Sequence, residues 1–323
     1  MTQITPRTLC ALVAAACCVQ VAWAQPYPNK AVRIIVPFGA GGPADIYARF
    51  LGQRLQESLG QSFVVDDRPG AGSIIGTDLV AKSPPDGYTL LMMSNTHTVN
   101  ETLVSKKPFT LMKDFVPVAP VNYSDLLLVV HPSLPVKSVK ELVQLAKSKP
   151  RGLNYASSGT GTPYHMAGEL FKALAGVDIV HVPHKGSGEA RTSVMSGQVE
   201  MMLDAITVMA QMAKAGRVRA LGTSGAKRST VMPEVPTIAE SGYPGYEATN
   251  WYAYVAPSKT PKDVLARWNQ ELVKVLAAPE VREQLLSHGL EPMPGTAEAL
   301  AKYIEREYAT WGRVVKEAKI TAN

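Results

Sequence analysis

Cysteine is nearly missing from this chain. Its 323 residues include only Cys10, Cys17 and Cys18, all within the leader. That leader has a basic start at Arg7, a short apolar run from Leu9 to Val21 and the small-x-small triplet Ala22-Trp23-Ala24. Residues 1–24 read as a secretory signal peptide, too short for a membrane span, with cleavage expected after Ala24. Export to the periplasm would remove every thiol. A disulfide, a thiolate nucleophile and a cysteine metal site are therefore excluded from the mature chain that starts at Gln25. Lipoprotein processing at Cys17 is the alternative, but Ala14-Ala15-Ala16-Cys17 lacks the large apolar residue usual at its first position.

Long apolar runs are lacking beyond the leader, so no transmembrane helix is expected and the mature chain should be soluble. Charge of one sign never accumulates. The 33 Lys+Arg and 27 Asp+Glu give a net +6, or +5 without Arg7, spread over segments that also carry acids. Aromatics are 7% of the chain and no basic run interleaves with them, so nucleic acid is not expected as a partner. A mild positive field suits small anionic solutes. What is present is length and apolar content: 46% hydrophobic and 19% charged residues supply two domains with their own cores.

The chain repeats itself. Gly52, Gly60, Gly70 and Gly72 recur 116 residues later as Gly168, Gly176, Gly186 and Gly188. Val32–Val36 runs into a small-residue loop ending Gly41-Gly42, and Leu153–Ala156 runs into Ser157–Thr162. Helical apolar spacing follows each loop (Ile46, Phe50, Leu51, Leu55; Met166, Leu170, Phe171, Leu174), with Pro43 and Pro163 early in the helices. Each unit continues with an apolar strand, a second glycine turn and a third strand (88–92; 199–203). Alternating strands and helices of this length predict parallel sheets. Extended passages at 116–121 with 126–130, and at 251–257, should cross between units. Helices are expected at 261–276, 280–287 and 298–319, the last packing back on the first unit. The lobes are drawn as 25–122 with 253–323, and 123–252.

Both loops open helices, where unpaired N–H groups and the positive dipole end suit a carboxylate or phosphate. Candidate ligand donors are the backbone of Gly41, Gly42, Gly159 and Gly161 and the hydroxyls of Ser157, Ser158, Thr160 and Thr162. Gly42 and Thr162 also read as plain helix caps. Asp45 and His165 fall at the third helical position, where an acid ordinarily caps backbone N–H groups. Asp204 ends the apolar strand Met201-Met202-Leu203, and Asn95 and Thr96 end its counterpart; strand ends are where parallel sheets place ligand groups. Met201, Met202, Met209 and Met212 read as packing. His181 and His184 have no carboxylates to complete a metal site. No cofactor motif survives: Gly70-Ala71-Gly72-Ser73-Ile74-Ile75-Gly76 has its last glycine one position late, and 222–227 lacks the phosphate-loop spacing.

In order along the chain stand Tyr27-Pro28-Asn29-Lys30, Val36-Pro37-Phe38 with Gly41-Gly42-x-x-Asp45, and Arg68-Pro69-Gly70-Ala71-Gly72. Asp86-Gly87-Tyr88-Thr89-Leu90, Tyr155-Ala156-Ser157-Ser158-Gly159-x-Gly161, His181-Val182-Pro183 and Trp251-Tyr252 follow. This series resembles the Bug family, the periplasmic solute-binding receptors of tripartite tricarboxylate transporters. The resemblance implies an α/β, two-lobed Venus-flytrap fold of the type II periplasmic-binding-protein kind. Its facing loops, Phe38 to Gly42 with Asp45 and Ser157 to Thr162 with His165, would hold a carboxylated solute partly through ordered water. His184 stands where the family often has Tyr, and Ser73-Ile74 where Gly-Asn is frequent, which bears on ligand identity.

The expected function is non-enzymatic capture of a small organic anion, without cofactor or metal. Candidates are a di- or tricarboxylate, an acidic amino acid or an aromatic acid. Phe38 would cover its apolar middle, and Asp45 or Asp204 would favour a ligand bearing an ammonium or hydroxyl group. Expected partners are the membrane permease of such a transporter or a sensor kinase, with the receptor itself a monomer. A periplasmic esterase using Ser157 or Ser158 with His165 is the rival; it lacks an assignable orienting acid.

Overall fold

The computed structural model describes residues 27–317 and 319–321. The signal-peptide reading and its three cysteines lie outside the described residues. The first unit runs β1 (Val32–Val36), α1 (Pro43–Leu59), β2 (Phe63–Asp67), α2 (Ile74–Ala81), β3 (Thr89–Ser94) and α3 (Asn95–Leu103). A single turn, α4 (Leu111–Asp114), leads into β4 (Phe115–Val130) and then α5 (Val139–Ser148). The second unit repeats the order as β5 (Asn154–Ser157), α6 (Pro163–Ala175), β6 (Val180–Pro183), α7 (Ser187–Met195), β7 (Met201–Ala205) and α8 (Ile206–Lys214). The chain ends with β8 (Arg219–Thr223), β9 (Thr249–Pro257), α9 (Lys262–Ala277), α10 (Pro279–Ser287), β10 (Glu291–Pro292) and α11 (Ala297–Glu317).

Each unit folds as the alternation requires. β1 lies parallel between β2 and β3, and β5 lies parallel between β6 and β7. The strand order is β2-β1-β3-β9-β4-β7-β5-β6. Antiparallel β9 and β4 occupy the centre and join two lobes. β4 is one strand of 16 residues where two shorter stretches were expected. Residues 115–125 pair with β9, and Leu126–Val130 pair with β7 and β8. The expected break is absent because Asn122–Asp125 stay in register with β9. Pro117 and Pro120, which donate nothing to a ladder, sit at the two register shifts.

The cores follow the same division. Ile34, Leu51, Leu90, Tyr254 and Trp268 pack on one face of the first lobe's sheet. Leu128, Tyr155, Phe171 and Leu203 do so in the second. Met201, Met202 and Met209 are fully packed, as the sequence suggested. α1 forms because Pro43 fits its first turn, Asp45 complements its dipole, and Tyr47, Ala48, Leu51 and Leu55 make one buried stripe; Gly60 ends it. Gly176 ends α6 in the same way. The repeat fails at the second glycine turn: Gly70 and Gly72 lie in a loop, whereas Gly188 lies inside α7. α11 departs from expectation too. Leu300 and Ile304 pack in the first lobe, but Trp311, Val314 and Val315 belong to the second lobe's core.

Candidate functional site

Four helices of the two repeated units begin where parallel strands end: α1 and α3 in the first lobe, α6 and α8 in the second. The loops before α1 and α6 are built alike. Gly41 and Gly161 have φ of +74° and +78°, a left-handed turn that glycine adopts without strain. Each donates its N–H to the side chain four residues on, Gly41 to Asp45 Oδ2 at 2.8 Å and Gly161 to His165 Nδ1 at 3.0 Å. Gly42 N–H reaches Gly39 O at 3.3 Å, and Gly159 N–H reaches Ser157 Oγ at 3.2 Å.

All four glycine N–H groups expected to meet a ligand are thus engaged within their own loops. Ser157 is fully buried, with Oγ 2.7 Å from His181 Nε2, and Thr162 Oγ1 donates to Gly159 O at 2.7 Å. The free donors lie elsewhere in the same two loops. Among the described residues, the N–H groups of Gly39, Ala40, Ser158 and Thr160 and the hydroxyls of Ser158 and Thr160 have no hydrogen-bond partner. Gly41, Gly42, Gly159 and Gly161 shape the loops; Gly39, Ala40, Ser158 and Thr160 present the donors.

Asp45 is a cap first. It is 5% exposed, holds Gly41, and lies 2.6 Å from Arg49 Nε as an ion pair without hydrogen-bond alignment. Burial, then Lys172, lowers the His165 pKa to about 4, and burial, then His165, lowers that of His181 to about 3. Neutral His165 can therefore accept from Gly161. The two imidazoles stack at 4.0 Å, with Tyr155 beyond His181 at 4.9 Å. Sequence spacing missed this stack because its rings come from β5, α6 and β6; the alternation that puts Tyr155 and Ser157 on one side of β5 was the usable signal.

Phe38 is half-buried and meets His97 edge-on at 6.0 Å. Asn95 and Thr96 begin α3 and are 1% exposed. Asn95 Nδ2 donates to Thr249 O at 2.7 Å, while Asn95 Oδ1 and Thr96 Oγ1 have no partner among the described residues. Asn95 thereby links α3 to the start of β9. Asp204 is fully buried and grips Arg191 through Nε at 2.5 Å and Nη2 at 3.2 Å. It also accepts Ala205 N–H at 2.7 Å, so its carboxylate is engaged by a guanidinium and a backbone donor.

The lobes touch beside this pair. Tyr47 Oη lies 3.5 Å from Thr207 Oγ1, and the Tyr47 ring packs edge-on to Tyr252 at 5.5 Å. An apolar cavity of about 230 Å³ opens there, lined by Pro43, Ile46, Tyr47 and Phe50 from α1 and Thr207 and Val208 from α8.

Residues 47–320 match the tripartite tricarboxylate transporter family receptor, TctC. Protein BugT of Bordetella pertussis is 36% identical over 296 residues, covering 91% of each chain. The structure of R. palustris Rpa4515 with adipate superposes with a TM-score of 0.88 at 36% identity, covering 91% of this chain and 99% of that one. MatC from Rhodopseudomonas palustris with bound malate gives 0.83 at 31% identity, covering 90% and 100%. With its mixed two-lobed α/β fold, its paired loops and a match over most of its length, the chain belongs to the Bug/TctC family of periplasmic solute-binding receptors.

Proposed function

We propose that this chain captures a small carboxylated solute between its lobes and delivers it to the membrane components of a tripartite tricarboxylate-type transporter. The observation that carries the reading is the pair of equivalent loops at the N-termini of α1 and α6, each with N–H groups left over after its glycine is locked. Helix N-termini favour anions, and two from opposite lobes grip one solute from both sides. Rpa4515 and MatC, solved with adipate and malate, set the solute class to test first. The lobes are taken as 25–122 with 253–323, and 123–252; release of the leader after Ala24 would place the receptor in the periplasm as a monomer.

Ser157 Oγ beside His181 Nε2 gives the hydrolase reading its one foothold. Ser157 is sealed from solvent, and among the described residues His181 Nδ1 has no carboxylate to orient it. We therefore take the protein as a receptor without enzymatic activity. Calorimetric titration of the mature protein with malate, adipate, glutamate and their neutral amides is the test. Heat confined to the acids supports the receptor; hydrolysis of a chromogenic ester lost in Ser157→Ala would replace it with an enzyme.

A further inference from the structure

The cavity between α1 and α8 stands apart from the glycine loops. Its walls come from three places: Ile46, Tyr47 and Phe50 on α1, Thr207 and Val208 on α8, and Leu290 after α10. No residue of 38–42 or 157–162 lines it. Two contacts brace these walls. Tyr47 is buried, with its ring edge-on to Tyr252 and its hydroxyl 3.5 Å from Thr207 Oγ1, so it stands as a post between α1 and α8. The turn before Leu290 is pressed against the second lobe: a Cβ on Gly289 would lie 2.8 Å from Val231 Cγ2 and 3.3 Å from Ile206 Cγ2. Both lobes thus frame a space of about 230 Å³.

The lining indicates what belongs there. It holds no carboxylate, lysine or arginine. An organic ion entering it would leave water for Ile46, Phe50, Val208 and Leu290 and meet no counter-charge, a cost that turns away the anions the loops suit. A neutral apolar molecule gains instead. Ile46 is 51% exposed and Phe50 half-buried, so an occupant would take apolar surface of α1 out of water. Tyr47 and Phe50, three residues apart on one helix face, offer two rings for a flat ligand to meet edge-on or offset. One polar point remains: Thr207 Oγ1 accepts from Tyr47 and keeps a hydrogen and a lone pair. An apolar cavity of about 150 Å³ takes a benzene ring, so this larger one has room for two fused rings.

We propose that this cavity is a second ligand site, for a small neutral aromatic molecule of one or two fused rings with one hydrogen-bonding group at the Thr207 end. The site goes beyond the receptor reading and does not rest on it. A molecule seated there touches both lobes. Wherever solute binding alters how the lobes stand, the two affinities are therefore linked.

Indole is the probe: neutral, with two fused rings, an N–H and no carboxylate for the loops. Calorimetry on the mature wild type should show saturable binding with a Kd of about 0.1–1 mM, within the per-atom range for so small a ligand. Val208→Trp fills the cavity from α8, and Ile46→Asp sets a charge at its exposed rim. Each should weaken indole at least about tenfold, with circular dichroism confirming the fold. Saturating malate should change the indole affinity by a bounded factor only, and indole the malate affinity by the same factor. An indole Kd that climbs in proportion to malate puts both in one cleft and overturns the second site. Wild type without saturable indole binding overturns it too, as does full affinity in both folded variants. Wild type that binds indole but no carboxylate upholds this site and fails only the receptor reading.

Discussion

Asp45 and His165 are counterparts: each is the third residue of its helix, and each accepts the N–H of the glycine four residues earlier, at 2.8 and 3.0 Å. An acid and a neutral imidazole do one job in two lobes. Removing either acceptor leaves a glycine N–H to rearrange its loop. Asp45→Ala and His165→Ala should each cost about 1 kcal/mol in urea denaturation, in the range for a lost cap. Both should weaken solute binding by more than their stability loss explains. Unchanged binding in both variants would separate the locks from the site.

The loops should differ in their tolerance of a methyl group. A Cβ on Gly41 meets nothing within 4 Å, so Gly41→Ala faces only left-handed backbone strain of about 1–2 kcal/mol. A Cβ on Gly161 would come 2.8 Å from Leu103 Cδ2 and 3.3 Å from Asn100 Oδ1. Gly161→Ala therefore adds overpacking of about 1–3 kcal/mol. Thermal melts should rank Gly161→Ala clearly below Gly41→Ala.

Buried histidines make stability fall in acid. His165 and His97 titrate near 4 and His181 near 3, each lowered first by burial, against about 6.5 in an unfolded chain. The unfolded state takes up protons that the folded state refuses. The stabilisation is complete above about pH 6.5 and is lost as pH falls toward 4, about 1.4 kcal/mol for each unit of depression. Melting temperatures by circular dichroism should drop across that window. His165→Gln should flatten the slope, and an unaltered slope would refute the assignment.

Asp125 has the opposite sign. It stands where β4 leaves β9, and its pKa is raised to about 6 by burial first, then by Glu291 and Glu247. The folded state prefers it protonated, so stability falls as pH rises from about 4 to about 6, and the full cost stands above that. Asp125→Asn should stabilise the protein by about 2 kcal/mol at pH 7.5 and leave it unchanged below pH 4. Paired urea titrations at the two pH values decide it.

Much of this was legible because glycine and proline punctuate the chain. Pro43 and Pro163 marked the helix starts, and the alternation of strands and helices the parallel sheets. The glycines and helix starts pointed to the two loops, but not to the engagement of the Gly41, Gly42, Gly159 and Gly161 N–H groups within them. Sequence cannot tell that Gly41 turns inward to Asp45, since that depends on a side chain one helical turn away. The continuity of β4 was hidden by the polar stretch Asn122–Asp125, which reads as a break and is held in the sheet by its register with β9. Arg191 passed unnoticed because the acid that explains it lies thirteen residues on, across a turn and on another element.

α11 gives the molecule a property that neither lobe has alone. Its first turns are seated among Leu91 and Trp251, its last among Leu128 and Phe171, and at Gly312 its backbone runs so close to α3 that a Cβ would lie 2.9 Å from Thr102 Oγ1. At about 1.5 Å per residue, its 21 residues form a strut of roughly 31 Å fastened at both ends. Spreading the lobes on that side would draw the Trp311 ring out of its socket, a loss of about 3–5 kcal/mol. On that side the rod therefore holds its two seats a fixed distance apart, a spacer built from a single helix.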